Sequence, residues 1–436
     1  MPFELIPQKL VYGGEALGHH QGRTVLVPRA LPGERIEVEE VRTAKGVVHA
    51  RPLRVLQAAP ERVDPPCPYF GRCGGCQYQH LRPEYEAAAK REILRETLRR
   101  IGKITWDAEI QLHAAEPWNY RNQAQLKVAR QADGQVALGF FEADSHRLFP
   151  VDVCLILSPA LNAVLAQLRL AEWSVRLAGC HEIELLADHR DECVAITLRG
   201  SLSATEGEAA ARDMLSRLSG VVSVTLESNG KLQVFGEPTL EYAVGDFRYR
   251  VSPGSFFQAS RFLLPELVAA VTSAQPGAVV AAASERQTLA LDLFAGVGLF
   301  TLPLARRFAR VVGVEASAIS AADLAANAEA HFLSNVRAVS ATAYDFLRRF
   351  AQAEPELVVL DPPRAGVAVN VLELLVACRP QRIHYVSCSP PTLARDLDYL
   401  VKRGYRLDSV ELFDFFPQTF HIECLVRLIR RDGTSR

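Results

Sequence analysis

From residue 288 to about residue 430 the sequence alternates short apolar runs with helix-forming segments, and this alternation constrains the fold more than any other feature. The runs Thr288 to Phe294, Arg310 to Glu315, Leu357 to Asp361 and Arg382 to Cys388 are apolar almost throughout, as strands covered on both faces must be. With helices between them, they predict an open parallel sheet wrapped by helices. In such sheets ligands bind beyond the carboxyl ends of the strands, where each run here carries polar or reactive residues.

The first run continues as Leu291-Asp292-Leu293-Phe294-Ala295-Gly296-Val297-Gly298 and enters a helix. Gly296 and Gly298 let the chain turn tightly and let a ligand lie against the backbone. A dinucleotide fingerprint would place a third Gly where Thr301 stands, which disfavours a nicotinamide cofactor. Glu315 closes the next strand, where a carboxylate can accept hydrogen bonds from two ribose hydroxyls. The two features together fit an adenosyl ligand, as in S-adenosylmethionine-dependent methyltransferase sheets. The third motif, Asp361-Pro362-Pro363-Arg364, fixes the backbone direction where a substrate base would sit. Enzymes that methylate exocyclic amines place a stacking aromatic where Arg364 stands, so that chemistry is disfavoured.

The fourth motif, His384-Tyr385-Val386-Ser387-Cys388, presents a thiol at a strand end. An isolated cysteine there is ordinarily a buried inert thiol. Four motifs at successive strand ends outweigh that reading. C5 of uracil becomes nucleophilic only after covalent attack at C6, and a thiolate does this well. Cys388 is therefore the candidate nucleophile. Glu423, in Gln418-Thr419-Phe420-His421-Ile422-Glu423, is the candidate general base for the C5 proton, with His421 the runner-up.

Upstream, residues 1–58 read as short strands between Gly and Pro turns, among them Leu10 to Tyr12, Thr24 to Pro28, Arg35 to Val38 and Gly46 to Ala50, which predicts a small β-barrel. Eight basic and six acidic residues there allow a nucleic-acid face without demanding one. A loop then carries Cys67, Cys73 and Cys76, three soft ligands that need a fourth donor, for which Cys154 is best placed. Spacing alone leaves zinc and a [4Fe–4S] cluster equally open. An amphipathic helix follows over Pro83 to Ile101, with Lys90, Arg91, Arg95, Arg99 and Arg100 on a face that is either solvated and balanced by Glu84, Glu86, Glu92 and Glu96 or in contact with an RNA backbone. Residues 59–255 form an α+β domain, an Ala- and Ser-rich linker spans Ser273 to Ser284, and 256–436 is the catalytic domain. The fold class is thus a multidomain chain of β and α/β units.

Together these residues resemble the bacterial RNA (uracil-5-)-methyltransferases, in particular the iron–sulfur-containing 23S rRNA enzymes. The resemblance implies that Pro32-Gly33-Glu34 belongs to an OB-like, RNA-binding TRAM barrel and that the cysteines hold a [4Fe–4S] cluster. It also implies a Rossmann-like catalytic domain against which helix 83–101 packs. Gln258 would lie near cofactor and target base, and Phe294, Glu315 and Asp361 would line the S-adenosylmethionine site. Thr342 stands where some relatives carry a cofactor-contacting Asn. The implied partner is RNA, 23S rRNA in the first place, with a tRNA uracil-C5 methyltransferase and a non-catalytic metal-containing RNA-binding protein as alternatives. A net charge of −1 keeps RNA binding local, and the absence of a long uncharged apolar run predicts a cytoplasmic protein with no membrane partner. No obligate protein partner is predicted.

Overall fold

The computed structural model describes residues 1–273, 288–350 and 354–431. From residue 274 onward the expected linker lies outside the described residues. Strands β1 (Phe3–Leu5), β2 (Lys9–Leu10), β3 (Glu15–His20), β4 (Arg23–Pro28), β5 (Arg35–Ala44) and β6 (Val47–Gln57) form one sheet in the order β1-β5-β6-β4-β3-β2, with β1 and β2 at its edges. β5 and β6 run well beyond the apolar segments that announced them. Glu37 and Glu39 lie opposite Arg54 and Arg51 and pair with them, so charge pairing extends a ladder that hydrophobicity alone would have ended. The buried Glu34 accepts hydrogen bonds from the amides of Leu31 and Ala59 and pairs with Arg62. Its turn therefore bolts this sheet to the chain that follows.

Helix α1 (Pro83–Arg100) ends within a residue of expectation, but Lys90 does not lie on a solvated face. It is fully buried, bonded to Asp414 Oδ1 at 2.7 Å and paired with Glu86 at 2.8 Å. Burial alone would lower its pKa; the two carboxylates outweigh this and hold it above the ordinary lysine value. β7 (Gln111–His113) follows, a strand with no sequence signature.

The central unit is a seven-stranded sheet of β8 (Gln123–Arg130), β9 (Val136–Phe141), β10 (Leu148–Pro150), β11 (Cys180–Ala187), β12 (Val194–Gly200), β13 (Val221–Ser228) and β14 (Lys231–Gly236), ordered β10-β9-β8-β11-β12-β13-β14. It shares a core with α2 (Pro159–Leu168), α3 (Ser174–Leu177) and α4 (Ala204–Arg217). The hairpin of β15 (Leu240–Val244) and β16 (Phe247–Val251) sends its buried side chains instead into the core of the C-terminal sheet.

That last sheet contains β17 (Leu289–Leu293), β18 (Arg310–Glu315), β19 (Val336–Ser340), β20 (Leu357–Leu360), β21 (Arg382–Ser387), β22 (Tyr405–Phe413) and β23 (Glu423–Arg430). Its order is β19-β18-β17-β20-β21-β23-β22-β7; β17 to β21 are parallel, and β23 runs antiparallel to both neighbours. β7 pairs with the edge of β22, so residues 111–113, read from sequence as part of the central domain, complete the C-terminal sheet. The surrounding helices are α5 (Leu264–Thr272), α6 (Thr301–Ala305), α7 (Ala318–Ala330), α8 (Ala343–Arg349), α9 (Val369–Ala377) and α10 (Pro390–Val401). Strand alternation divides the apolar run of β17: Leu291 and Leu293 join one core with α1 and the N-terminal sheet, while Ala290 faces α5 and the hairpin. Among the described residues no helix is long and apolar enough to cross a membrane.

Because α1 is joined to the C-terminal sheet through a buried charge, Lys90→Met should leave two buried carboxyls uncompensated. The expected loss is about 3–5 kcal/mol of unfolding free energy, read by denaturant titration.

Candidate active site

The carboxyl ends of the parallel strands open into a cavity of about 960 Å³. β17 passes into it through Phe294, a non-glycine residue in the left-handed region at φ +68°, and Gly296 at φ +54°. Such geometry persists where surrounding contacts over-determine it. Gly296 and Phe294 line the cavity. Gly298 does not; its φ is +96°, and an added Cβ would stand 2.8 Å from Leu302, so its role is in packing. Glu315 is anchored by two amides, Gly296 N at 2.9 Å and Ser317 N at 2.7 Å, which orient its carboxylate at the end of β18. Thr342 caps α8, accepting from the Asp345 amide at 3.0 Å, and lies off the cavity wall. The Asn-like contact expected there is replaced by a helix cap.

On the other side of β17, Gln258 Nε2 donates to Asp361 Oδ2 at 3.1 Å. Cys388 leaves the end of β21 and Glu423 opens β23; Ser387 stands opposite Cys424 in the ladder, which brings thiol and carboxyl to the same edge of the cavity. Burial, then the charges of Glu423 and Asp361, push the Cys388 thiol up to about 12, with Arg364 opposing. Burial and the nearby Asp361 hold Glu423 far above the usual carboxylate range, and its Oε1 is buried without a hydrogen-bond partner. Burial likewise raises Asp361, against the Gln258 bond. His421 moves the other way: burial and the neighbouring Arg364 push it down to about 3. A histidine held neutral to that pH is a weak proton acceptor, which favours Glu423 as the base.

Residues 84–431 match the tRNA (uracil-5-)-methyltransferase family. The chain belongs to this family. Relatives include an uncharacterized RNA methyltransferase of Aquifex aeolicus, 33% identical over 99% of this chain and 99% of the relative. A 23S rRNA (uracil(1939)-C(5))-methyltransferase of Alkalilimnicola ehrlichii is 35% identical over 97% and 96% of the two chains. In fold the chain resembles the Pyrococcus abyssi tRNA (uracil-54, C5)-methyltransferase solved with S-adenosyl-L-homocysteine, with a TM-score of 0.75, 23% identity, and coverage of 98% of this chain and 100% of that one.

In this uracil methyltransferase the same cavity extends to Cys67, Cys73, Cys76 and Cys154, all free thiols. Each of the other three bears electrostatically on Cys76, which burial pushes up to about 12. Backbone amides point at the sulfurs, that of Gly75 at Cys73 and those of Ile156 and Leu157 at Cys154. Among the described residues, no three His, Cys, Asp or Glu side chains converge tightly enough to hold a single metal ion. Two further lining residues had no sequence signal: Arg121, whose Nε is buried without a partner, and Phe416, whose ring lies 6.0 Å from the Arg121 guanidinium. Arg121 comes from a loop with no motif around it, and Phe416 lies two residues before the segment that carries Glu423.

Asp292 lies behind the site, fully buried, accepting from Thr301 Oγ1 at 2.6 Å. Thr301, where a dinucleotide fold would have Gly, is thus a partner for this carboxyl. Burial pushes Asp292 from 3.8 up to about 7. The folded state holds this proton to higher pH than the unfolded chain, so the group's contribution is complete below 3.8 and is lost as pH rises through about 7. Asp292→Asn, which can still accept from Thr301, should flatten the fall of melting temperature across that window relative to the parent protein.

Proposed function

We propose that this methyltransferase transfers a methyl group from S-adenosylmethionine to C5 of a uridine in 23S rRNA by a covalent route. The observation that carries the reading is the pairing of β21 with β23, which sets Cys388 beside Glu423 at the cavity edge. The rRNA substrate is supported by relatives of that activity that align along nearly the whole chain. The tRNA alternative draws on the description of the family as a whole and on a more divergent solved neighbour.

Cys388 is the nucleophile. In the resting site its thiol keeps its proton, because it is buried and two carboxyls face it, with Arg364 as the opposing charge. The sulfonium of the methyl donor, seated by Phe294, Gly296 and Glu315, adds a second positive charge and favours the ionised forms, so that Cys388 releases its proton to solvent as the thiolate and Glu423 stands as the carboxylate that can later accept one. The Cys388 sulfur then bonds to C6, the resulting enolate carbon C5 takes the methyl group, and the donor leaves as a thioether. Glu423 removes the C5 proton; the electron pair re-forms the C5–C6 double bond and expels Cys388. Gln258 and Asp361, bonded to each other in the same wall, offer an amide and a carboxyl to the edge of the target base. The base must be flipped out of its stack to reach both C5 and C6. The N-terminal sheet, a TRAM-like module in this reading, holds flanking RNA.

The four thiols fit an iron–sulfur cluster. Zinc, with Zn–S bonds of about 2.3 Å, needs its sulfurs clustered about one point, whereas a cubane takes one thiolate at each corner. The amides aimed at Cys73 and Cys154 suit thiolate ligands of such a cluster. Bound there, the cluster would cross-link segment 67–76 to Cys154 and so brace the wall of the cavity.

Anaerobically purified protein should form 5-methyluridine on unmodified 23S rRNA transcripts in preference to tRNA, as nucleoside analysis would show; label on any other nucleoside would overturn the covalent scheme. Cys388→Ala should form no adduct with 5-fluorouridine RNA. Glu423→Gln should accumulate a covalent RNA complex, visible on a denaturing gel, while turnover falls by about 100-fold or more. The same preparation should contain about four irons per chain; stoichiometric zinc without iron would refute the cluster.

A further inference from the structure

One side chain joins the thiol-bearing loop to the segment that carries the base. Gln77 follows Cys76 directly. Its Nε2 donates to the Gly74 carbonyl at 2.9 Å, inside the turn between Cys73 and Cys76. Its Oε1 accepts from the Phe420 amide at 3.2 Å, three residues before Glu423. The main chain runs alongside: the Gln77 and Tyr78 amides both donate to the Gln418 carbonyl, at 2.9 and 3.0 Å.

Segment 414–422 links β22 to β23 without regular structure, so its shape depends on partners elsewhere in the chain. Glu86 accepts from the Gln418 amide at 2.7 Å, Lys90 donates to the Phe416 carbonyl at 3.0 Å, and the Tyr120 hydroxyl donates to the Pro417 carbonyl at 3.0 Å. Gln418 itself sits at φ +69°, a conformation such clamping sustains. Glu86 and Lys90 belong to a helix with its own packing; Gln77 owes its place to the thiol loop. Gly74 at the far end is seated tightly, since a Cβ there would lie 3.1 Å from the Phe141 carbonyl oxygen. Gly14 of the N-terminal sheet closes over Gln77, with room for no side chain: a Cβ would be 2.8 Å from Gln77 Cβ.

We propose that Gln77 is a positioning residue for Glu423, coupling closure of the four-thiol loop on its ligand to removal of the C5 proton. The proposal rests on the functional reading above, with Glu423 as base and an iron–sulfur cluster on the thiols. With the loop closed, the Gly74 carbonyl orients the Gln77 amide so that its oxygen meets the Phe420 N–H. With the loop open, that orientation is lost, segment 414–422 relaxes, and Glu423 drifts from the proton it must take.

The test compares wild type, Gln77→Ala and Gln77→Glu as full-length, anaerobically purified proteins. Five quantities are read: iron content, kcat and KM for the rRNA transcript, the fraction of enzyme trapped as covalent RNA adduct, and amide exchange in 414–422 by mass spectrometry. Gln77→Ala should keep its iron and a KM within about twofold, lose about 10- to 100-fold in kcat, accumulate adduct, and exchange 414–422 faster. Gln77→Glu retains an acceptor for the Phe420 amide but no donor for the Gly74 carbonyl, so it should recover part of the kcat while exchange in 414–422 no longer responds to iron removal. Removing iron from wild type with a chelator should accelerate exchange in 414–422, and should do so less in Gln77→Ala, because the link is already cut. Wild-type kcat and exchange in Gln77→Ala would overturn the proposal. So would loss of iron in step with activity, which would make Gln77 a builder of the thiol loop only. If wild type makes no 5-methyluridine yet exchange still responds to iron removal and to Gln77→Ala, the functional reading fails while the coupling between the loops stands.

Discussion

The candidate active site depends on one backbone register. β23 runs antiparallel to β21 with Ser387 opposite Cys424, and on its other flank Glu423 faces Phe413 of β22. Side chains alternate along a strand, so a slip of one residue would turn Glu423 away from the cavity and expose Cys424 in its place. Both neighbours of β23 would have to shift together for that to happen. The ladder thus holds the proposed nucleophile and the proposed base, 35 residues apart in sequence, without any direct bond between their side chains.

Gathering these groups has an electrostatic cost that the protein retains. Asp361, Glu423 and Cys388 are driven by burial toward their neutral forms; Asp361 raises the other two further, and Glu423 raises Cys388. Arg364 is the cation that opposes this for both Cys388 and Glu423. A site poised in this way answers to added positive charge, which is what a sulfonium donor brings. Away from the chemistry, the reverse balance holds at Lys90, where two carboxylates stabilise a buried cation and join α1 to the segment before β23.

The parts of the site legible in the sequence were those at strand ends. Buried parallel strands read as apolar runs, and the residue that ends each run must face the ligand edge, which placed Glu315, Asp361 and Cys388 without any knowledge of contacts, while Phe294 was implied by the family resemblance. Gly298 and Thr342 lie off the cavity wall, since a glycine needed for packing and a helix cap look the same in sequence as ligand contacts. Lys90 was misread because its local pattern is that of a solvated face, while its partner Asp414 lies 324 residues away. β7 is three residues long and carried no period to detect.

By itself the sequence determined the alternating sheet, the order of its motifs, the kinds of reactive group and the four cysteines, since these follow from local hydrophobic period and residue chemistry. The tertiary structure decided which groups meet. Cys154 reaches Cys67, Cys73 and Cys76, Lys90 reaches Asp414, and Gln77 reaches Phe420 only once the sheets are packed. It also decided protonation, because the shifts at Asp292, Asp361, Cys388 and Glu423 arise chiefly from burial. Burial belongs to the packed molecule and to no segment of the chain.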